Sequence, residues 1–158
     1  MEIKSRAQFS NLRAKRHYKN LSLSDIREYV RGVGWVLEKW KDVKGYEGYY
    51  AVSTFGRVRS YSRWVYRERF GDYVKRRERM LKQKNTKHGY LSVSLQVDKK
   101  RKMWSVHLLV ALTFIKRGKS KTQVNHKFEK KKDNRASKLE WVTAKENFHH
   151  AVGLGLTV

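Results

Sequence analysis

Gln123-Val124-Asn125-His126, followed by Asp133-Asn134-Arg135, Leu139-Glu140-Trp141-Val142 and Thr143-Ala144-Lys145-Glu146-Asn147, is the stretch whose reading decides the fold. Gln123-Val124-Asn125-His126 reads as a strand and Leu139-Glu140-Trp141-Val142 as its partner, with a polar loop between them. Thr143 with Glu146 three residues later is a capping-box pattern, so a helix opens directly after the second strand and runs through Asn147 and His150 to Gly153. Asn147 then sits in the first helical turn and can point back towards the end of the first strand, where Asn125 and His126 stand. An imidazole and two amides gathered in one place can accept a proton and offer carbonyl oxygens to a cation.

Working outward, residues 107–115 are apolar on nearly every side and stop at Gly118, the pattern of a short helix buried between layers. Leu91, Val93, Leu95 and Val97 alternate, and the charged turn Asp98-Lys99-Lys100-Arg101 leads into Met103-Trp104-Ser105-Val106, which predicts a hairpin. Residues 40–61, punctuated by Gly45, Gly48 and Gly56, predict another strand, tight turn and strand. Residues 57–87 hold twelve Lys or Arg against three acids, interleaved with Tyr61, Trp64, Tyr66, Phe70 and Tyr73, and predict a basic aromatic face. Residues 1–20, with Arg13, Lys15, Arg16 and Lys19, have no apolar period and read as a flexible arm; Ser24 caps a short helix through residues 25–30 that Gly32 and Gly34 end. The expected architecture is α+β: an N-terminal basic arm and helix (1–39), two antiparallel β-hairpins that recognise a partner (40–105), and a C-terminal strand-strand-helix unit (106–158).

Thirty-eight Lys and Arg against fourteen Asp and Glu give a formal charge of +24, which suits a partner rich in phosphate, nucleic acid above all. An anionic membrane is disfavoured: no apolar run approaches the roughly 18 residues of a span, and the charges do not share one amphipathic helix. The chain has no cysteine, so disulfides and thiolate zinc sites are excluded and any metal must be held by nitrogen and oxygen, which favours magnesium or manganese. Met1-Glu2-Ile3-Lys4-Ser5-Arg6 lacks the apolar core of a secretory signal, and the expectation is a cytoplasmic protein that stays where it is made.

Hydrolysis of a phosphodiester needs a water nucleophile, a base to take its proton, and positive charge beside the developing phosphorane. His126 can serve as the base, and Asn125 and Asn147 can offer oxygens to one ion. Each residue also has a plainer role. His126 can cap a strand, Asn125 can be a turn residue, His107 can bond across to the strand bearing His126, and His149 and His150 can be a solvated helical face. Lys130-Lys131-Lys132 is either a solvated loop or a phosphate contact, and the aromatics of residues 61–73 either pack on a strand face or stack on bases.

Two stretches together resemble the HNH endonucleases of the intron-encoded and free-standing homing type, common in phages. One is Trp-Lys-Asp-Val-Lys-Gly-Tyr-Glu-Gly-Tyr-Tyr-Ala-Val-Ser from Trp40, with Gly-Arg-Val-Arg-Ser from Gly56; it looks like the small domain that often precedes such nucleases. The other runs from Val106-His107-Leu108-Leu109-Val110-Ala111 through Val124-Asn125-His126, Asp133-Asn134-Arg135 and Leu139-Glu140-Trp141-Val142-Thr143 to Glu146-Asn147. The resemblance implies a ββα-metal unit with His126 as general base, Asn125 and Asn147 as ligands to one Mg2+ or Mn2+, and His107, Asn134 and His150 as supporting residues. Close relatives often carry Asp where this chain has Asn125 and Asn where it has Lys138, departures that bear on catalytic rate.

The implied substrate is double-stranded DNA. A β-ribbon in the major groove would let Arg57, Arg59 and Arg63 reach guanine edges, with Lys75, Arg76, Arg77 and Lys84 on phosphates. Lys130, Lys131 and Lys138 would contact the backbone beside the catalytic unit. One site per chain fits a monomer that nicks a single strand, with a dimer making a double-strand break as the alternative. The rival class is a nucleic-acid-binding protein with a degenerate, weak or inactive site; it would bind DNA regardless of divalent metal.

Overall fold

The computed structural model describes residues 27–30 and 34–153, and the chain divides into two compact units between Trp40 and Lys41. In the first unit β1 (Arg27–Val30) pairs antiparallel with β2 (Gly34–Leu37), so that Tyr29 lies opposite Trp35 and Val30 opposite Gly34. The helix expected for residues 25–30 is therefore a strand over its described part; Ser24, Asp25, Ile26 and the basic arm lie outside the described residues. So short a segment cannot offset the cost of nucleating a helix, whereas Tyr29, Val30, Trp35 and Val36 are residue types that favour a paired strand.

The second unit is a sheet-rich α+β fold with two helices among its described residues, and its first strand begins at Trp40, the last residue of the first unit. β3 (Trp40–Asp42), β4 (Tyr50–Ser53), β5 (Val58–Ser60) and β8 (Arg79–Met80) form one sheet in that order. Between β5 and β8 the chain makes a separate hairpin of β6 (Arg63–Arg67) and β7 (Asp72–Arg76), where only a basic aromatic face was expected. β9 (Lys84–Asn85), β10 (Leu91–Val97) and β11 (Lys100–Ser105) build a three-stranded sheet whose β10–β11 hairpin is the one predicted. α1 (Val106–Phe114) follows, then β12 (Gln123–His126), β13 (Leu139–Val142) and α2 (Ala144–Gly153), the expected succession of strand, loop, strand and helix.

α1 is the centre of the core. Its Val106, Leu109 and Val110 are buried with Val52 and Val58 from the first sheet, Val93 and Leu95 from β10, and Leu139 from β13. Because apolar residues surround this helix on nearly every side, it can be covered by several elements at once, and the core draws on both residues 40–105 and residues 106–158. Two polar links fix the sheets. The Tyr50 hydroxyl donates to Gln96 O and accepts from Gln96 N, both at 3.1 Å, and Trp104 Nε1 donates to the Tyr46 hydroxyl at 3.1 Å. Asp42 holds the turn between β3 and β4 by accepting from Gly48 N at 3.1 Å and from the Tyr61 hydroxyl at 2.6 Å; burial and that carboxylate push the phenol up to about 12. Among the described residues no helix is long and apolar enough to cross a membrane.

Candidate active site

Antiparallel register sorts the residues of the β12–β13 ribbon onto two faces. Val124 lies opposite Trp141 and His126 opposite Leu139, whereas Gln123 lies opposite Val142 and Asn125 opposite Glu140. Side chains alternate along a strand, so His126 and Asn125 leave the ribbon on opposite sides.

His126 turns towards the core and is 5% exposed. Its ring meets His107 of α1 edge-on at 5.2 Å between centroids, and Tyr90 covers both imidazoles at 5.0 and 5.8 Å. Nε2 and Asn134 Oδ1 are 3.2 Å apart. The Asn134 amide nitrogen faces Lys132 O at 3.5 Å, which leaves Oδ1 to accept, so Nε2 carries the hydrogen and the lone pair lies on Nδ1. Burial holds the imidazole below its ordinary value, against an upward pull from the Asn134 bond and Asp133, and Lys131 adds to the lowering. The side chain is therefore neutral near pH 7, the state a general base requires. It lines a cavity of about 380 Å³ shared with Phe128, Lys130, Asp133, Arg135 and Lys138.

The loop that shapes this cavity is braced from the other end of the sequence. Gly56, in the turn after β4, has φ of 77° and lies so close to Asn134 that an added Cβ would stand 2.7 Å from Asn134 Cβ and 2.9 Å from Asn134 O. Ala136 N donates to Thr54 O at 2.7 Å, and Gln83 Nε2 to Gly56 O at 2.7 Å. Asp133 is clamped by Arg135 Nε at 2.7 Å, which holds its carboxyl below the usual range. Lys138, half-buried, lies over the Phe128 ring at 5.1 Å. Tyr90, Thr54 and Gly56 were not singled out from the sequence as site residues; only the Gly-Arg-Val-Arg-Ser stretch hinted that this turn matters.

On the other face, the capping box of α2 is present in both directions: Thr143 N donates to Glu146 Oε2 at 2.7 Å and Glu146 N to Thr143 Oγ1 at 3.1 Å. It sets Asn147 in the first turn, where Nδ2 donates to Gln123 Oε1 at 2.7 Å. Asn125 Nδ2 donates to Glu140 Oε1 at 3.3 Å. These are two separate pairs, Asn147 with Gln123 at the start of β12 and Asn125 with Glu140 further along, so Asn147 does not point at the strand end carrying Asn125 and His126 as the sequence suggested. The oxygens they carry are of the kind that suits a hard divalent cation. Among the described residues there is no group of three or more His, Asp or Glu arranged to hold a metal.

The expected DNA-contacting residues fall into three groups. Lys75, Arg76, Arg77, Lys84, Lys130 and Lys131 are exposed. Arg57 is half-buried, and Arg63 folds back over the rings of Tyr49 and Tyr50 at 5.4 Å each. Arg59 corrects the expectation of a base contact: it is 1% exposed, with NH1 3.1 Å from Glu78 Oε1, because its position on β5 between β4 and β8 turns it inward. His107 is structural in geometry, its Nδ1 buried without a hydrogen bond and its pKa lowered to about 4 by burial and then by His126. His150 is half-exposed in α2.

By sequence and by fold the chain is a homologue of the HNH homing endonucleases. Residues 38–96 match the NUMOD4 motif, which covers the first sheet and the β6–β7 hairpin. The chain is 34% identical over 117 residues to the DNA endonuclease I-HmuI of Bacillus phage SP01, covering 74% of this chain and 59% of that protein. It is 40% identical over 122 residues to the uncharacterized HNH endonuclease L247 of Acanthamoeba polyphaga mimivirus, covering 73% of this chain and 26% of that protein. The solved structure of DNA binding and cleavage by the HNH homing endonuclease I-HmuI superposes with a TM-score of 0.60 at 34% identity, over 76% of this chain and 61% of the other. The chain therefore spans less than two thirds of the length of these relatives.

Proposed function

We propose that the protein is a metal-dependent HNH endonuclease of the homing type that binds duplex DNA and hydrolyses a phosphodiester bond. The observation that carries this reading is the setting of His126: a neutral imidazole with Nε2–H held by Asn134, at the wall of a cavity rimmed by Lys130, Arg135 and Lys138. In this role Nδ1 of His126 takes the proton of the attacking water, and the lysines hold the phosphate on which the water acts. Asn125 and Asn147 would hold one Mg2+ or Mn2+ on the face of the ribbon opposite His126, so that a phosphate served by both would have to lie across the ribbon edge; when bound, the ion would supply positive charge to that phosphate. His107, Tyr90 and Asn134 fix the imidazole so that it does not have to be ordered during the reaction.

DNA recognition is assigned to the β6–β7 hairpin and its surroundings. Register places Trp64 opposite Lys75 and Tyr66 opposite Tyr73 on one side of the ribbon, and Trp64, Tyr66 and Tyr73 are 64%, 51% and 67% exposed. Large aromatics left in water beside Lys75, Arg76 and Arg77 fit a ribbon that lies in a groove with its cations on phosphates. The expected binding unit is one protein chain, giving a nick.

Incubating the purified protein with supercoiled plasmid and Mg2+ or Mn2+ tests the reading: it expects metal-dependent nicking that His126→Ala abolishes. No nicking with either metal, or equal nicking by wild type and variant, refutes it. The second reading, a DNA-binding protein with an inactive site, is favoured by two residues of the chain, the neutral Asn125 where close relatives often carry Asp and Lys138 where they carry Asn. Salt-sensitive binding that persists in chelator, with no cleavage in any metal, would establish it instead.

A further inference from the structure

Asn125, Asn147 and Gln123 are all neutral, and three amide dipoles make a weak hold on a small, strongly hydrated divalent ion, which is ordinarily bound through one or two carboxylates. Glu140 stands directly across the ribbon from Asn125, on the face that meets Asn147 through Gln123. Its Oε1 accepts from Asn125 Nδ2 at 3.3 Å. Its Oε2 has no hydrogen bond or ion pair among the described residues, although the chain carries thirty-eight Lys and Arg for fourteen acids. A half-buried carboxylate left without a cation among the described residues is a negative charge held in reserve. The neighbouring acids are committed elsewhere: Glu146 to Thr143 N and, at 3.8 Å, to Lys121, and Asp133 to Arg135.

From this arrangement we infer that Glu140 is the anionic ligand of the metal site, supplying from β13 the charge that Asn125 does not supply from β12. The inference rests on the endonuclease reading above and adds a residue to it. Asn125 and Glu140 face each other at a paired position of the ribbon, so a carboxylate at either place puts its charge within one side-chain length of the same point. Gln123, two residues from Asn125 along the strand and so roughly 6.6 Å away, positions Asn147 rather than binding the ion.

The whole 158-residue chain stripped with chelator and titrated with Mn2+ alone, followed by calorimetry and by the electron paramagnetic resonance of free Mn2+, tests this without reference to cleavage. Glu140→Gln keeps the shape and the bond from Asn125 and removes only the charge; it should weaken Mn2+ binding by about tenfold or more. Adding Asn125→Asp to Glu140→Gln should bring binding back to the wild-type range, and Asn125→Asp alone should bind more tightly than wild type. Wild type that nicks plasmid and binds Mn2+ while Glu140→Gln binds it equally well overturns the role of Glu140 alone, as does failure of Asn125→Asp to rescue. Wild type that neither binds Mn2+ nor nicks plasmid overturns the endonuclease reading together with it.

Discussion

Replacing Gly56 by alanine probes the joint between the turn after β4 and the loop that carries Asn134. Two costs add. A φ of 77° places an L residue in the left-handed region, about 1 kcal/mol for alanine. The new Cβ would then stand 2.7 Å from Asn134 Cβ, 2.9 Å from Asn134 O and 3.0 Å from Asn134 C, none of which can swing away as a long side chain would. Forced separation of packed backbone costs about 1 to 3 kcal/mol more, so the total is about 3 kcal/mol and the melting temperature falls by about 10 °C for a unit of this size. Gly48 is the internal control, since its φ is 75° but nothing lies within 4 Å of an added Cβ. Gly48→Ala should therefore show only the conformational cost, about 1 kcal/mol. Urea denaturation of the two variants isolates the Asn134 contact as their difference, and plasmid nicking reports whether displacing Asn134 disturbs His126. Equal stabilities for Gly56→Ala and Gly48→Ala would show that the close approach carries no energy and that the turn does not buttress the loop.

Two further expectations follow from charge. His107 is lowered to about 4 when folded and titrates near 6.5 when unfolded, so between those values the unfolded chain binds the extra proton. Its contribution is complete above pH 6.5 and is lost as the pH falls towards 4, by up to about 3 kcal/mol; His107→Gln should flatten the stability profile over that window, and superimposable profiles would contradict the burial argument. Lys75→Ala, which removes an exposed cation beside Trp64, should weaken DNA binding at low salt and reduce the slope of log affinity against log salt by about 1, measured by fluorescence anisotropy. An unchanged slope would place the β6–β7 hairpin off the DNA.

Legibility from sequence followed the range of the interactions. The strand-strand-helix unit could be read because its signals are local: alternation in Gln123-Val124-Asn125-His126, and a capping box in which Thr143 and Glu146 are three residues apart. The buried helix was legible for the same reason, and its start and end moved by one residue only. The segment at residues 27–30 failed because a few residues carry too little periodicity to separate helix from strand, and pairing with β2 decided it. The β6–β7 hairpin was hidden by its own composition, since a ribbon with aromatics and cations on its outer face does not show apolar alternation. Arg59 reads as one more basic residue in a basic run, yet its place on β5 between two strands buries it against Glu78.

The sequence by itself determined the composition of the site: which residue offers an imidazole, which offer amides, how much positive charge surrounds them, and that no thiolate takes part. These are properties of residue type and short spacing, and they do not depend on how distant segments meet. Only the tertiary structure decided that Gly56 presses on Asn134, that Tyr90 and His107 close over His126, and that Glu140 faces Asn125. Such contacts join residues between 15 and 78 positions apart, as Asn125 with Glu140 and Gly56 with Asn134 illustrate. Their closeness is set by strand register and by the packing of one core around α1, energies that belong to the assembled molecule and leave no periodic trace along the chain.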